Sequence, residues 1–145
     1  MTDPTTMGPR ELGAFVKRTS TPELRRLMHG DRRPAVLDEI FSNMPEVFRS
    51  DRAGALNAVI HWRVGDRPDG RTDDYEMTVA GGRCSVRKGH YLAPDLTLSI
   101  GGVDFLSLVT GQAHAVMLVM RGRLKTKGDL GLAAKFPTLF DPPKV

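Results

Sequence analysis

The residues able to do chemistry are few and poorly arranged for it. Four histidines, His29, His61, His90 and His114, lie far apart with no i, i+4 pair, so a metal would be held only by an accident of folding. Asp73 and Asp74 are adjacent carboxylates, but neighbours on a strand point to opposite faces and do not share a proton. Ser107 lies in GVDFLSLVTG without the strand-to-helix elbow of a serine hydrolase. Cys84 alternates with charged neighbours and falls on the side of Val86, where an inert small hydrophobe is expected. There is no phosphate loop, no HExxH and no complete dinucleotide fingerprint. The expectation is a chain with no catalytic residue, no metal and no cofactor.

Charge offers a second kind of chemistry. Lys and Arg number 21 against 17 Asp and Glu, a surplus that matters only if it is clustered. Strand alternation puts Arg63, Arg83, Arg87, Arg123, Lys125 and Lys127 on one polar sheet face, with Glu76 offsetting some of the charge. Such a face contacts phosphates or anionic headgroups, or is merely solvated. It carries no aromatic side chains on which bases would stack, so no nucleic-acid partner is expected.

The third kind is apolar. Phe105, Leu106, Val109, Met117, Leu118, Met120, Phe136, Leu139 and Phe140 gather large groups near the C-terminus. They form either plain core or the lining of a cavity for a poorly defined hydrophobic ligand, which flexible Met and Phe side chains suit. The stretch Ala113–Met120 reads as a helix apolar all round, so it must be buried all round or face something other than water.

These residues need elements to position them. Helices are predicted over 10–18 behind Pro9, from an N-cap at Thr21 to Gly30, and from Pro34 to a break at Pro45. Alternation over 56–64, 75–79 and 83–87, joined by the GDRPDG loop and the Gly81-Gly82 turn, predicts an antiparallel meander. A fourth strand is predicted over 95–100, helices over 103–109 and 113–121, and a fifth strand over 123–127. Asp129 caps a last helix that Pro137 breaks early. Strands apolar on one side require helices over that side, giving a two-layer α+β domain. At 145 residues and 40% hydrophobic, the chain suits one domain with its own core. A lone cysteine excludes an internal disulfide, and no apolar run approaches a membrane span. Nothing marks the chain for export, so a cytoplasmic protein is expected.

The order of these elements and two segments carry a resemblance. PDLTLSIGGVDFLSLVTGQ and MRGRLKTKGDLGLAAKFPTLF resemble the sterol carrier protein 2 family, through Pro94-Asp95, Thr97, Asp104-Phe105, Gly111, Met120 to Ala133, and the Leu139-Phe140 close. NMPEVF, at 43–48, resembles the segment before the family's first strand. The likeness spans residues 34–140, with 1–33 as a helical extension packed on the same domain and 141–145 as a tail. It implies a five-stranded, mostly antiparallel sheet with helices on one face, enclosing a hydrophobic tunnel. It implies non-enzymatic binding of a sterol, fatty acid or acyl-CoA. Lining is expected from Trp62, Phe105, Leu106, Val109, Met117, Met120, Phe136, Leu139 and Phe140. Arg63, Arg87, Arg123 and Lys125 are expected to meet a headgroup or an anionic membrane. The alternative is a protein-interaction or regulatory module on the same fold with its tunnel filled.

Overall fold

The computed structural model describes residues 3–141; Met1 and Thr2 of the polar lead-in and all of the expected tail except Asp141 lie outside the described residues. Three helices come first: α1 (Pro9–Arg18), α2 (Thr21–His29) and α3 (Arg33–Asn43). Each has a proline in its first turn, where the missing N–H costs nothing. The cap of α2 is Ser20, one residue before the expected Thr21. Its Oγ accepts the Glu23 N–H at 3.4 Å and donates to the Glu23 carboxylate at 3.0 Å, so the S-x-x-E spacing decides the start. Pro45 converts the end of α3 into a 3₁₀ turn, Met44–Val47, and a single turn α4 (Ser50–Ala53) leads to the sheet.

Strands β1 (Ala58–Gly65), β2 (Asp73–Ala80) and β3 (Arg83–Lys88) form the expected meander, with Leu56 left outside it. Gly81 and Gly82 both take positive φ, as a two-residue hairpin turn demands. The chain then crosses to β4 (Leu96–Gly101), which pairs parallel with β1, and β5 (Leu124–Gly128) closes the far edge antiparallel to β4. The order is β3-β2-β1-β4-β5, with one parallel pair in a mixed α+β sheet. Between β4 and β5 lie α5 (Gly102–Val109) and α6 (Ala115–Met120). After β5 comes α7 (Leu130–Lys135), capped by Asp129, which accepts the Leu132 N–H at 3.0 Å. Pro137 turns its continuation into a 3₁₀ segment, Phe136–Leu139.

The Pro94-Asp95 and Lys127-Gly128-Asp129 signatures meet at the crossover. The Asp95 carboxylate accepts the Val59 N–H at 2.8 Å, and the Asp95 carbonyl accepts the Asp129 N–H at 2.9 Å. Gly128 has φ +116°, and a Cβ there would collide with that same carbonyl oxygen. Glycine is therefore required by the closeness of two backbones.

One face of the sheet carries the core. Ile60, Trp62 and Val64 of β1, Met77 and Val79 of β2, and Leu96, Leu98 and Ile100 of β4 are buried against Val36, Leu37, Ile40 and Phe41 of α3 and Phe105 of α5. Phe41 stacks on Tyr75 at 3.9 Å and on Phe105 at 5.1 Å, with Trp62 edge-on to both phenylalanines. Leu12, Val16, Leu24 and Met28 of α1 and α2 are buried in the same cluster.

Arg33 ties these helices to the sheet. It is only 3% exposed, and its guanidinium donates five hydrogen bonds. Nε reaches Asp73 at 2.8 Å, Nη2 reaches the Val64 and Gly65 carbonyls at 2.8 Å each, and Nη1 reaches Met28 and Asp66 carbonyls at 3.1 and 3.5 Å. All five donors of the fork are used. No helix among the described residues is long and apolar enough to cross a membrane.

Candidate functional site

Between the apolar face of the sheet and the helices lies a cavity of about 600 Å³. Its floor is strand: Trp62, Leu98 and Leu124 project into it by alternation along β1, β4 and β5. The N-terminal half supplies Met7, Leu12, Ile40 and Met44, and the C-terminal segment supplies Ala133, Phe136 and Phe140. Val116, Val119 and Met120 of α6 line it while remaining exposed, so α6 borders its opening. Polar lining is sparse: Asn43, Thr110, His114 and Thr126. Thr110 is already committed, its hydroxyl donating to the Leu106 carbonyl at 2.6 Å.

Five of the nine expected lining residues meet here: Trp62, Val109, Met120, Phe136 and Phe140. Phe105, Leu106 and Leu139 do not. They are fully buried behind the wall, where Phe105 completes the aromatic stack that fixes Trp62. Met117 is exposed and is absent from the cavity lining. Sequence reasoning missed Met7, Leu12, Ile40 and Met44. The helical spacing of Leu12 and Ile40 says only that they face inward, which here includes the cavity wall, while Met7 lies in the polar lead-in before α1 and Met44 at the Pro45 break. It also missed Gly111, Ala113 and Ala133, small residues that leave room without leaving a periodic signal. The Trp62 indole Nε1 is buried with no hydrogen-bond partner among the described residues, held edge-on among Phe41, Phe105 and Phe136.

The expected headgroup residues divide by position. Arg63 pairs across the sheet with Asp74 and Ser99, and Lys125 with Ser99, all on the face opposite the cavity. Arg87 is on that face too, bound to the Glu76 carboxylate at 2.6 Å and lying 4.2 Å from the Tyr91 ring centre. Arg63 and Arg87 therefore cannot touch a ligand inside the cavity, since the sheet stands between. Arg123 lies just before β5, outside the strand that was expected to begin with it, and binds Asp104 at 3.1 Å.

The polar face holds something alternation does not reveal. The crossover after β3 folds back over it and buries Glu76 completely. The carboxylate accepts the Tyr91 and Leu92 N–H groups at 3.0 and 2.7 Å, the Arg87 Nε at 2.7 Å, and lies 3.1 Å from His61 Nε2. His61 stacks on His90, ring centres 3.8 Å apart, so two of the scattered histidines do meet. No group of three metal-ligating side chains converges there or elsewhere among the described residues. Burial alone would raise the Glu76 pKa, but the Leu92 and Tyr91 N–H groups, Arg87 and His61 outweigh it and lower the value from 4.5 to about 2. The unfolded chain therefore binds the extra proton between these values. Glu76 contributes stability that is fully present above pH 4.5 and lost as pH falls through about 2. In urea titrations across that window, Glu76→Gln should flatten the slope of stability against pH. An unchanged slope would contradict this account of the site.

Cys84 is half-buried on the core side of β3, and burial pushes its thiol up to about 12, in keeping with an inert packing role.

Known proteins with this arrangement are carriers and enzymes. Human sterol carrier protein 2 is 30% identical over 84 residues, covering 58% of this chain and 15% of that protein. The solved sterol carrier protein 2 of Yarrowia lipolytica, in its apo form, superposes with a TM-score of 0.58 at 21% identity, covering 78% of this chain and 94% of that one. The sec-alkylsulfatase Pisa1 of a Pseudomonas species superposes with a TM-score of 0.62 at 19% identity, covering 74% of this chain but 17% of the enzyme. The match thus spans about one-sixth of the human protein and of the sulfatase. The SCP-2 sterol transfer family matches residues 37–141, from the core of α3 past the end of the last 3₁₀ segment, and the chain belongs to that family.

Proposed function

We propose that this chain binds a hydrophobic lipid, such as a sterol, a fatty acid or an acyl-CoA, in its internal cavity and carries it without transforming it. The observation that supports this reading is the cavity itself. About 600 Å³ of apolar-lined space lies within the roughly 300–1,000 Å³ usual for small-molecule sites. An unfilled cavity of this size counts against the alternative of an interaction module with bulky side chains in place of a ligand. Burial of the ligand would supply the affinity, at about 0.8 kcal/mol per methylene before the costs of binding. Trp62, Val109, Met120, Phe136 and Phe140 would touch it, while Phe105, Leu106 and Leu139 hold those side chains in place. The family name speaks of sterol transfer, and the carrier reading extends it to this chain.

Trp62 is the chain's single tryptophan and stands in the cavity floor, which makes it a built-in reporter. Titration with a long-chain fatty acid or a sterol should change its fluorescence and saturate at one ligand per chain. Native mass spectrometry of the same samples should show that stoichiometry. Absence of both signals across fatty acids, sterols and acyl-CoA would overturn the reading.

A further inference from the structure

The few polar groups of the cavity differ in what they have left to offer a ligand. Thr110 donates to the Leu106 carbonyl, and the Asn43 amide donates to the Met7 carbonyl at 3.4 Å and the Glu39 carboxylate at 3.1 Å. The Trp62 Nε1 is buried, so that donor is sealed beneath the surface. Thr126 is different. It stands opposite Leu98 on the cavity side of β5, and besides the Trp62 indole it is the one polar side chain that the strands contribute to the lining. It is partly buried, and its hydroxyl bonds to no other described residue. A hydroxyl both donates and accepts, and one half-sheltered without a partner suits a ligand oxygen.

Charge is missing from the same wall. Among the described residues no Asp, Glu, Lys or Arg lines the cavity, and His114 is its one titratable side chain. Arg121 and Arg123, which follow α6 in sequence, stand outside the lining, and Arg123 is taken by Asp104. The chain itself shows what sheltering a carboxylate requires. Glu76, on the other face of the sheet, is held by two backbone N–H groups, Arg87 and His61. The cavity offers an ionised headgroup nothing comparable, either inside or at its apolar rim of Val116, Val119 and Met120. A neutral hydroxyl or carbonyl needs only one partner.

We infer that the cavity selects an uncharged lipid whose hydroxyl or carbonyl oxygen is held by the Thr126 hydroxyl, and disfavours ionised acyl lipids. This rests on the lipid-carrier reading; it names which of those cargoes is preferred and the residue that sets the preference.

The test is titration of the full chain, read by Trp62 fluorescence at pH 8, with two matched pairs: dodecan-1-ol against dodecanoate, and cholesterol against cholesterol sulfate. In each pair that binds, the uncharged member should bind roughly tenfold or more tighter, as expected when a charge meets no partner. Thr126→Val keeps the shape and removes the hydroxyl. It should weaken the uncharged members roughly three- to tenfold, the worth of one hydrogen bond, and leave the charged ones unchanged. Thr126→Ser, which keeps the hydroxyl, should retain the wild-type preference. An unchanged urea midpoint shows that each variant folds. Charged members that bind as tightly as their partners would overturn the selectivity and leave the carrier reading intact. Undiminished binding of the uncharged members by Thr126→Val would overturn the role of Thr126 in the same way. No response to any of the four would remove the carrier reading itself.

Discussion

Replacing Arg33 by methionine should lower the unfolding free energy by about 3–5 kcal/mol, the usual cost of removing one partner from a buried, hydrogen-bonded ion pair. Methionine keeps much of the volume and removes every donor. The Val64, Gly65 and Met28 carbonyls lose their partner, and Asp73, itself nearly buried, keeps only Arg67 at 3.2 Å. The cost arises from leaving those groups unpaired in a place water does not reach. Urea unfolding monitored by Trp62 fluorescence measures it. Arg33→Lys should recover only part of the loss, since one ammonium cannot span acceptors on β1, β2 and α2 as a planar fork does. A loss below about 1 kcal/mol for the methionine variant, the range of an exposed pair, would show that Arg33 is not the tie described here.

The second large effect concerns the cavity. Ala133→Phe places a ring in the wall contributed by α7, and Val109→Phe does so from α5, each keeping Trp62 as the sole indole. If either ring displaces three methylenes of ligand at about 0.8 kcal/mol each, affinity falls about 50-fold. Displacement of a fluorescent fatty acid measures this, and an unchanged unfolding midpoint shows that the variant still folds. Full affinity in both variants would mean that the ligand lies elsewhere. The two sites are on different elements, so a packing fault in one does not disable the comparison.

The periodicity of the sequence resolves the sheet well because β1, β2 and β4 each bury one face and leave the other polar. Ile60, Trp62 and Val64 against His61 and Arg63 is a pattern only a strand satisfies. The Asp129 cap and the Pro137 break were equally legible, since each acts on its own few residues. What escaped depends on parts of the chain that meet only after folding. Nothing local to Arg33 says that its guanidinium is buried among carbonyls from β1. Glu76 alternates as a solvent-facing residue does, and only the crossover laid over it makes it the most buried acid in the chain. The site was legible in its large residues and obscure in its small ones. Phe136 and Phe140 announce an apolar surplus, but Gly111 and Ala133, which leave the surplus hollow, carry no pattern. Phe105 could not be told from Val109, because one turn of α5 separates a side chain that fills the core from one that borders the empty space.

The single parallel pairing at the centre of the sheet imposes an order on assembly. β1, β2 and β3 meet through neighbours in sequence, whereas β1 meets β4 through partners such as Ile60 and Leu96, 36 residues apart. Closing the longer loop costs more chain entropy before any contact rewards it, so the slow step of folding is expected at that seam. Trp62 and Leu98 face each other across it and form the cavity floor. A nascent chain thus completes its meander while it still has no place to hold a lipid. The floor of the cavity comes into being only when β4 pairs with β1.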